Sequence, residues 1–358
     1  MAGHFQDAGR RAPKPRAPRW VGEEPPIGVK VAVLSAPEIY SVAGPVEVRE
    51  TSKAWVFLAA DRAYKLKKQV RTSFLDYSTI EARRIICEEE VRLNRRLAPD
   101  VYRGVARLTV ENGRGLVLDG NGPVVDWLVV MRRLRDSDML DRAIATGTAT
   151  PDRIEAVATR LAAFYRSLEP AEVDAAGHLA RFAHELDENG RVLALQAFTS
   201  VAERGAAINA ELVALLRDEP DLVKGRVIEG RVVEGHGDLR PEHVCLDDPP
   251  VVIDCLEFSR PLRLVDPFDE LAYLGMECSV LGAASIGPAL IRRCGEIMQD
   301  DPTPRLIAFY TAYRAMLRAR QTLAHLLDPH PRTPRKWIPL ANRYLDQAEQ
   351  AALTLRPR

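Results

Sequence analysis

Apolar positions change their period along the chain, and the change divides it. From Val46 to Met131 they come in short β-branched or aromatic bursts between polar turns: Val46-Glu47-Val48, Trp55 to Leu58, Ala63 to Lys68, Val105 to Val110, Gly115 to Asp119 and Asp126 to Met131. Such bursts predict strands, and the first three predict a meander with Arg49 to Ala54 between the first two. Ser78 to Leu97 interrupts them with a helical period. Its stripe is Ile80, Ile85, Ile86, Val91, Leu93 and Leu97, with Ser78 or Thr79 to start it and Pro99 to stop it. After Thr150-Pro151 the pattern is helical: Ile154 to Tyr165 behind a first-turn proline, then roughly 177–188, 192–204 and 206–216. Ile307 to Leu327 and Trp337 to Leu353 predict two more helices. Strands first and helices after predict an α+β chain.

One stretch breaks the helical half. Between Glu234 and Arg260, the bursts Val244-Cys245-Leu246 and Val251-Val252-Ile253 flank Asp247-Asp248-Pro249-Pro250, which predicts a hairpin with Asp238 and Asp254 at one end. Phosphoryl transfer needs this arrangement. One carboxylate orients or accepts the proton of the attacking hydroxyl, and another holds the magnesium that bridges the nucleotide phosphates.

His236-Gly237-Asp238-Leu239-Arg240-Pro241 followed by Ile253-Asp254 resembles the catalytic loop and metal aspartate of the aminoglycoside phosphotransferase family. The similarity runs from about Glu47 to about Gln321, and Asp254-Cys255-Leu256-Glu257-Phe258 points to one branch of that family. It implies a protein-kinase-like two-lobed α+β fold, with a small antiparallel-sheet N-lobe carrying one main helix and a larger helical C-lobe. It also implies ATP and Mg2+ as cofactors and a small-molecule hydroxyl acceptor. Residue by residue, the resemblance makes Asp238 the catalytic base and Asp254 the metal ligand. Lys65 then reaches the α and β phosphates, Glu90 steers Lys65, and the backbone of about Met131 to Arg133 meets adenine.

Two positions depart from the family pattern. His243 stands where a second metal-binding asparagine is usual, and imidazole suits transition metals better than magnesium. The site then uses one magnesium, or His243 or Glu242 completes the metal shell. The turn expected over the phosphates, Arg49 to Lys53, has no glycine, so Thr51, Ser52 or Lys53 must contribute side chains. These departures keep two rivals open: a nucleotide-binding regulator without turnover, and a kinase acting on proteins. The segment Asp266 to Leu271 predicts a helix start, where Asp266 or Asp269 caps the helix or ties the catalytic loop. Arg314 or Arg318 is expected to meet an anionic acceptor or a carboxylate of the 257–277 segment.

Composition narrows the partners. Lys plus Arg and Asp plus Glu are 50 each, so no long-range attraction to nucleic acid or an anionic membrane is expected. Five cysteines without a CxxC pair predict reduced, buried thiols, and no apolar run nears the ~18 residues of a membrane span. A cytoplasmic protein is expected. Residues 1–26, rich in Pro, Arg and Gly, predict a flexible tail, leaving 27–134 as the nucleotide-binding N-lobe and 135–358 as the C-lobe with hairpin 234–260. No GxxxxGK[ST] motif occurs.

Overall fold

The computed structural model describes residues 24–72, 75–328, 331 and 333–356. The expected tail lies, up to residue 23, outside the described residues. The backbone forms two compact units, one running to Glu88 and from Arg103 to Arg133, the other comprising Glu89–Tyr102 and Leu134 onward.

The first unit contains α1 (Ile27–Leu34), β1 (Glu47–Glu50), β2 (Ala54–Ala59), β3 (Arg62–Lys67) and a two-residue-strand hairpin, β4 (Arg71–Thr72) and β5 (Leu75–Asp76). Next come α2 (Ile80–Asn94), which continues into the second unit, and β6 (Tyr102–Glu111), β7 (Gly115–Leu118) and β8 (Val124–Arg132). Six strands form one sheet in the order β1-β2-β3-β8-β6-β7. Because strand side chains alternate, Tyr64 and Leu66 enter the core with Leu34, Phe57, Leu108 and Leu128, while Ala63, Lys65 and Lys67 share the opposite face. The meander is therefore as the pattern predicts, with the connection between its first two strands cut to Thr51-Ser52-Lys53.

Two features of the first unit are set by distant elements. Lys67 is buried over the Tyr77 ring, since β3 lies between β2 and β8. In α2 the apolar stripe is rotated, leaving Ile85 exposed and Arg83 buried. Asp126 of β8 explains this. Its Oδ1 accepts from Arg83 Nε at 2.8 Å and its Oδ2 from Lys30 Nζ of α1 at 2.6 Å, with Glu24 also accepting from both cations. A buried guanidinium demands such a partner, and that demand outweighs an apolar side chain at the same position.

The second unit is helical: α3 (Leu140–Thr146), α4 (Pro151–Arg166), α5 (Ala175–Leu193), α6 (Thr199–Asp218) and α7 (Asp221–Ile228), then α8 (Arg260–Arg263), α9 (Pro267–Val280), α10 (Ile286–Met298), α11 (Pro304–Ala324) and α12 (Trp337–Ala352). The two helices expected over 192–204 and 206–216 are instead the end of α5, a short turn, and one continuous α6. No breaker separates them: Gly205 lies inside α6, where a Cβ would stand 3.0 Å from Leu193 Cδ1, so the glycine serves close packing rather than a turn. Phe182 of α5 stacks among Phe309, Tyr310 and Tyr313 of α11 at the centre of the core. All five cysteines are buried and free, as predicted. Among the described residues no helix is long and apolar enough to cross a membrane.

Four two-residue strands interrupt these helices, β9 (Val233–Glu234), β10 (Val244–Cys245), β11 (Val251–Val252) and β12 (Leu264–Val265). β10 pairs with β11 through Val244 to Val252 and Cys245 to Val251, which is the predicted hairpin, and β9 pairs with β12.

Candidate active site

The loop leaving β9 is too tight for ordinary backbone. Gly237 has φ +88°, and a Cβ there would stand 3.0 Å from Leu256 Cβ and 3.1 Å from Arg263 Cγ, so only glycine fits. The turn aims backbone N–H groups inward, and Glu270 of α9 receives them. Its carboxylate accepts from His236 N–H at 2.9 and 3.0 Å, from Gly237 N–H, and from the Tyr165 hydroxyl at 2.8 Å. Burial pushes the Glu270 carboxyl up while these donors pull it down, and burial prevails. From the other side Arg96 donates to the carbonyls of Glu234 at 2.7 Å and Gly235 at 2.8 Å.

Two histidines set the loop against the hairpin. His236 Nε2 lies 2.9 Å from the Ile253 carbonyl and therefore carries the proton, which leaves Nδ1 to accept from Asp238 N–H at 3.3 Å. Burial first, then the neighbouring His243, depresses the His236 pKa to about 4, so the ring is neutral at pH 7. His243 Nδ1 donates to the Asp238 carbonyl at 2.7 Å, and its Nε2 lies 3.7 Å from Asp254 Oδ2. One ring thus lies between the two aspartates picked out by the sequence.

Asp238 Oδ1 accepts from the Tyr273 hydroxyl at 3.3 Å and lies 3.2 Å from Arg240 Nε. Desolvation raises its pKa, but Arg240, His243, His236 and Arg318 together hold the carboxyl below the ordinary range. Asp254 sits just past β11 with φ +62°, a left-handed conformation unusual outside glycine. Flanking bonds hold it there: Asp254 N–H donates to Tyr102 Oη at 3.1 Å, and Cys255 N–H to Asn94 Oδ1 at 2.8 Å.

The sequence model described as "Phosphotransferase enzyme family" matches residues 87–276, a span that holds this loop and hairpin. The chain belongs to that family. An uncharacterized protein of Mycobacterium tuberculosis is 34% identical over 278 residues, covering 77% of this chain and 54% of that protein. An uncharacterized protein of Mycobacterium bovis matches with the same figures, so the chain spans about half the length of these curated relatives. Among solved structures, a choline/ethanolamine kinase family protein from Mesorhizobium loti aligns with TM-score 0.54 at 15% identity, over 90% of this chain and 93% of that one. Choline kinase from Cryptosporidium parvum Iowa II aligns with TM-score 0.55 at 8% identity, over 92% and 96%. At such identities the likeness is one of fold, and it is the kinase-like fold that the family resemblance implies.

The predicted residues fall into two sets. Asp238, His243 and Asp254 meet in the second unit, where Glu90 is also placed, fully buried on α2. Lys65, Thr51, Ser52, Met131 and Arg133 belong to the first. Ala63 faces Met131 and Lys65 faces Val129 across the β3–β8 pair. Thr51 Oγ1 is spent within the turn, accepting from Ala54 N–H at 2.9 Å, and Arg133 N–H is spent on the Asp61 carbonyl at 2.8 Å.

The loop tie expected of Asp266 or Asp269 is made by Glu270. Asp266 caps α9, accepting from Phe268 N–H at 2.9 Å, and is filled by Arg226 and the Tyr310 hydroxyl. Asp269 is taken by a two-pronged pair with Arg314, at 2.7 and 2.5 Å. Arg318 pairs with Glu277 at 2.5 Å, so Arg314 and Arg318 both meet carboxylates of the 257–277 segment. Sequence reasoning missed Glu270, Asn94, Tyr102 and Tyr273. Glu270 alone left a signal, a carboxylate in the first turn of a helix that begins with a proline.

Proposed function

We propose that this phosphotransferase moves the γ-phosphoryl of ATP to a hydroxyl of a small molecule such as a sugar or aminosugar. One observation carries the reading: the His243 ring donates to the carbonyl of Asp238 and has its other nitrogen 3.7 Å from Asp254 Oδ2, so that the proposed base and metal-binding carboxylate stand on either side of one ring at one end of one hairpin.

Asp238, kept ionised by its cationic neighbours, takes the proton of the acceptor hydroxyl as that oxygen bonds to phosphorus. The leaving bond electrons pass to the β-phosphate oxygen of ADP. Tyr273 orients the carboxylate through its hydroxyl. Asp254 fits a hard divalent ion, whose remaining ligands would be phosphate oxygens and water. Among the described residues no three His, Cys, Asp or Glu side chains cluster to cage an ion by themselves. Such an ion, when bound, would neutralise phosphate charge, and the His243 imidazole beside Asp254 extends the choice toward manganese or zinc. Lys65, with Glu90 as its steering carboxylate, is assigned to the α and β phosphates by resemblance. Phosphate contact by Ser52 and Thr51, adenine contact by Met131 and Arg133, and a cytoplasmic site of action are assigned on the same footing.

The test is a metabolite-library screen for ATP-dependent phosphorylation. Label transferred to one class of small hydroxyl compounds is expected. The regulator reading has one specific support, the Thr51 hydroxyl already spent within its turn, and ATP binding without transfer to any acceptor would favour it. Label appearing in protein bands alone would favour the protein kinase.

A further inference from the structure

Three arginines lie among the carboxylates of the second unit, and their charges are used unequally. Arg314 is buried and grips both oxygens of Asp269, and Arg318 is held between Glu277 and the Tyr344 hydroxyl. Both are fixed by partners that are themselves buried. Arg240 differs from them. Its Nε is 3.2 Å from Asp238 Oδ1, its Nη2 3.4 Å from His243 Nε2, and its Nη1 3.1 Å from Glu242 Oε1. All three contacts are long, and Asp238 and Glu242 are partly or largely exposed. The Nε–H is buried yet makes no hydrogen bond among the described residues, because Asp238 lies out of line with it.

The position of this guanidinium is the informative point. It stands between the carboxylate that takes the proton and the imidazole at the place where the family's second metal ligand is usual. His243 Nε2 lies 3.4 Å from Arg240 Nη2 as well as 3.7 Å from Asp254 Oδ2. A second divalent ion here would meet a fixed positive charge at short range, while an anion would meet five donors in a planar fork, some of them weakly engaged.

We propose that Arg240 is a catalytic residue that supplies from the chain the second positive charge of phosphoryl transfer, so that the reaction runs with one divalent ion. The inference rests on the phosphotransferase reading above. As the acceptor oxygen bonds to phosphorus, its proton goes to Asp238 and the bond to the β-phosphate oxygen breaks, with its electron pair leaving on ADP. Charge spread over the three equatorial oxygens is met by the Arg240 fork, released from its loose contacts with Asp238 and His243. The product leaves as the phosphate ester, and Asp238 returns its proton to water.

The test uses the full chain with MgATP and water as the acceptor, measuring ADP release. Arg240→Gln is expected to lower kcat by about 10²- to 10³-fold with KM for ATP changed less than threefold, and Arg240→Lys to regain about tenfold. In parallel, Mn2+ is titrated by electron paramagnetic resonance with the β,γ-imido analogue of ATP, and one tight ion per chain is expected. Two tight ions per wild-type chain, or a kcat within threefold of wild type in Arg240→Gln, would overturn the assignment. A loss in both variants that tracks a lowered melting temperature would do so too. If wild type releases no ADP, with water or with any acceptor of the screen, the phosphotransferase reading falls first and Arg240 with it.

Discussion

Two groups of carboxylates lie within one stretch of the second unit, and the fold treats them oppositely. At the start of α9, Asp266, Asp269 and Glu270 are each about 1% exposed and are met by arginines, tyrosine hydroxyls or backbone N–H groups. On the loop after β9 and the hairpin, Asp238 and Asp254 keep 31% and 45% of their side-chain surface. A buried carboxylate costs several kcal/mol unless its lone pairs are filled, so the α9 group is committed to its partners. The less buried pair is the one that the proposed reaction assigns to substrate and metal. Stability and chemistry are thus assigned to different acids.

Breaking the buried member should cost most. Glu270→Ala strands the N–H groups of His236 and Gly237 and the Tyr165 hydroxyl, and about 4 kcal/mol of unfolding free energy should be lost in a urea titration. A loss below about 1 kcal/mol would remove Glu270 from this role. The loop's neutral histidine gives a pH signature of nearly the same size. His236 and His178 have folded pKa values near 4, both depressed chiefly by burial below the ordinary histidine value of 6.5. Between those values the unfolded chain takes up protons that the folded chain refuses. Stability should therefore fall as pH drops from about 6.5 to about 4, by on the order of 3 kcal/mol for each histidine. Unfolding free energies at several pH values check this, and His236→Gln should remove about half of the dependence.

The exposed pair should fail in function instead. Asp238→Asn is expected to lower transfer by about 10²-fold, near 2.7 kcal/mol of transition-state stabilisation, with nucleotide binding and melting temperature kept. Asp254→Asn should abolish metal-dependent nucleotide binding, which calorimetry with and without the ion would read. Wild-type turnover in the first variant would return Asp238 to the ordinary residues of a turn. Gly237→Ala sharpens the comparison because it strains the joint between the two groups; about 2 kcal/mol of stability should go, with a larger loss of transfer. Tyr102→Phe is the mildest. It deletes the acceptor of the Asp254 N–H and should cost about 1 kcal/mol, with a modest rise in the metal concentration needed for half-maximal binding.

The parts of this picture legible in the sequence are those with a local cause. The β3 burst, the Thr79 start of α2 and the Pro151 start of α4 each follow from period or capping within one turn of chain. The errors share the opposite character. Ile85 faces solvent because Arg83 must reach Asp126, 43 positions away, and the loop tie belongs to Glu270 because α9 packs its first turn under the loop. Nothing in the spacing of Asp266, Asp269 and Glu270 says which one points there.

By itself, then, the sequence determined the hairpin and its two aspartates, since two β-branched bursts around an Asp-Asp-Pro-Pro turn have few other ways to fold. Tertiary structure alone decided how those aspartates are held and charged: the placement of the His243 ring, the left-handed backbone at Asp254 and the guanidinium beside Asp238. The physical reason is that hydrogen-bond partners and desolvation are set by whichever distant elements close around a group, and periodicity carries no record of them.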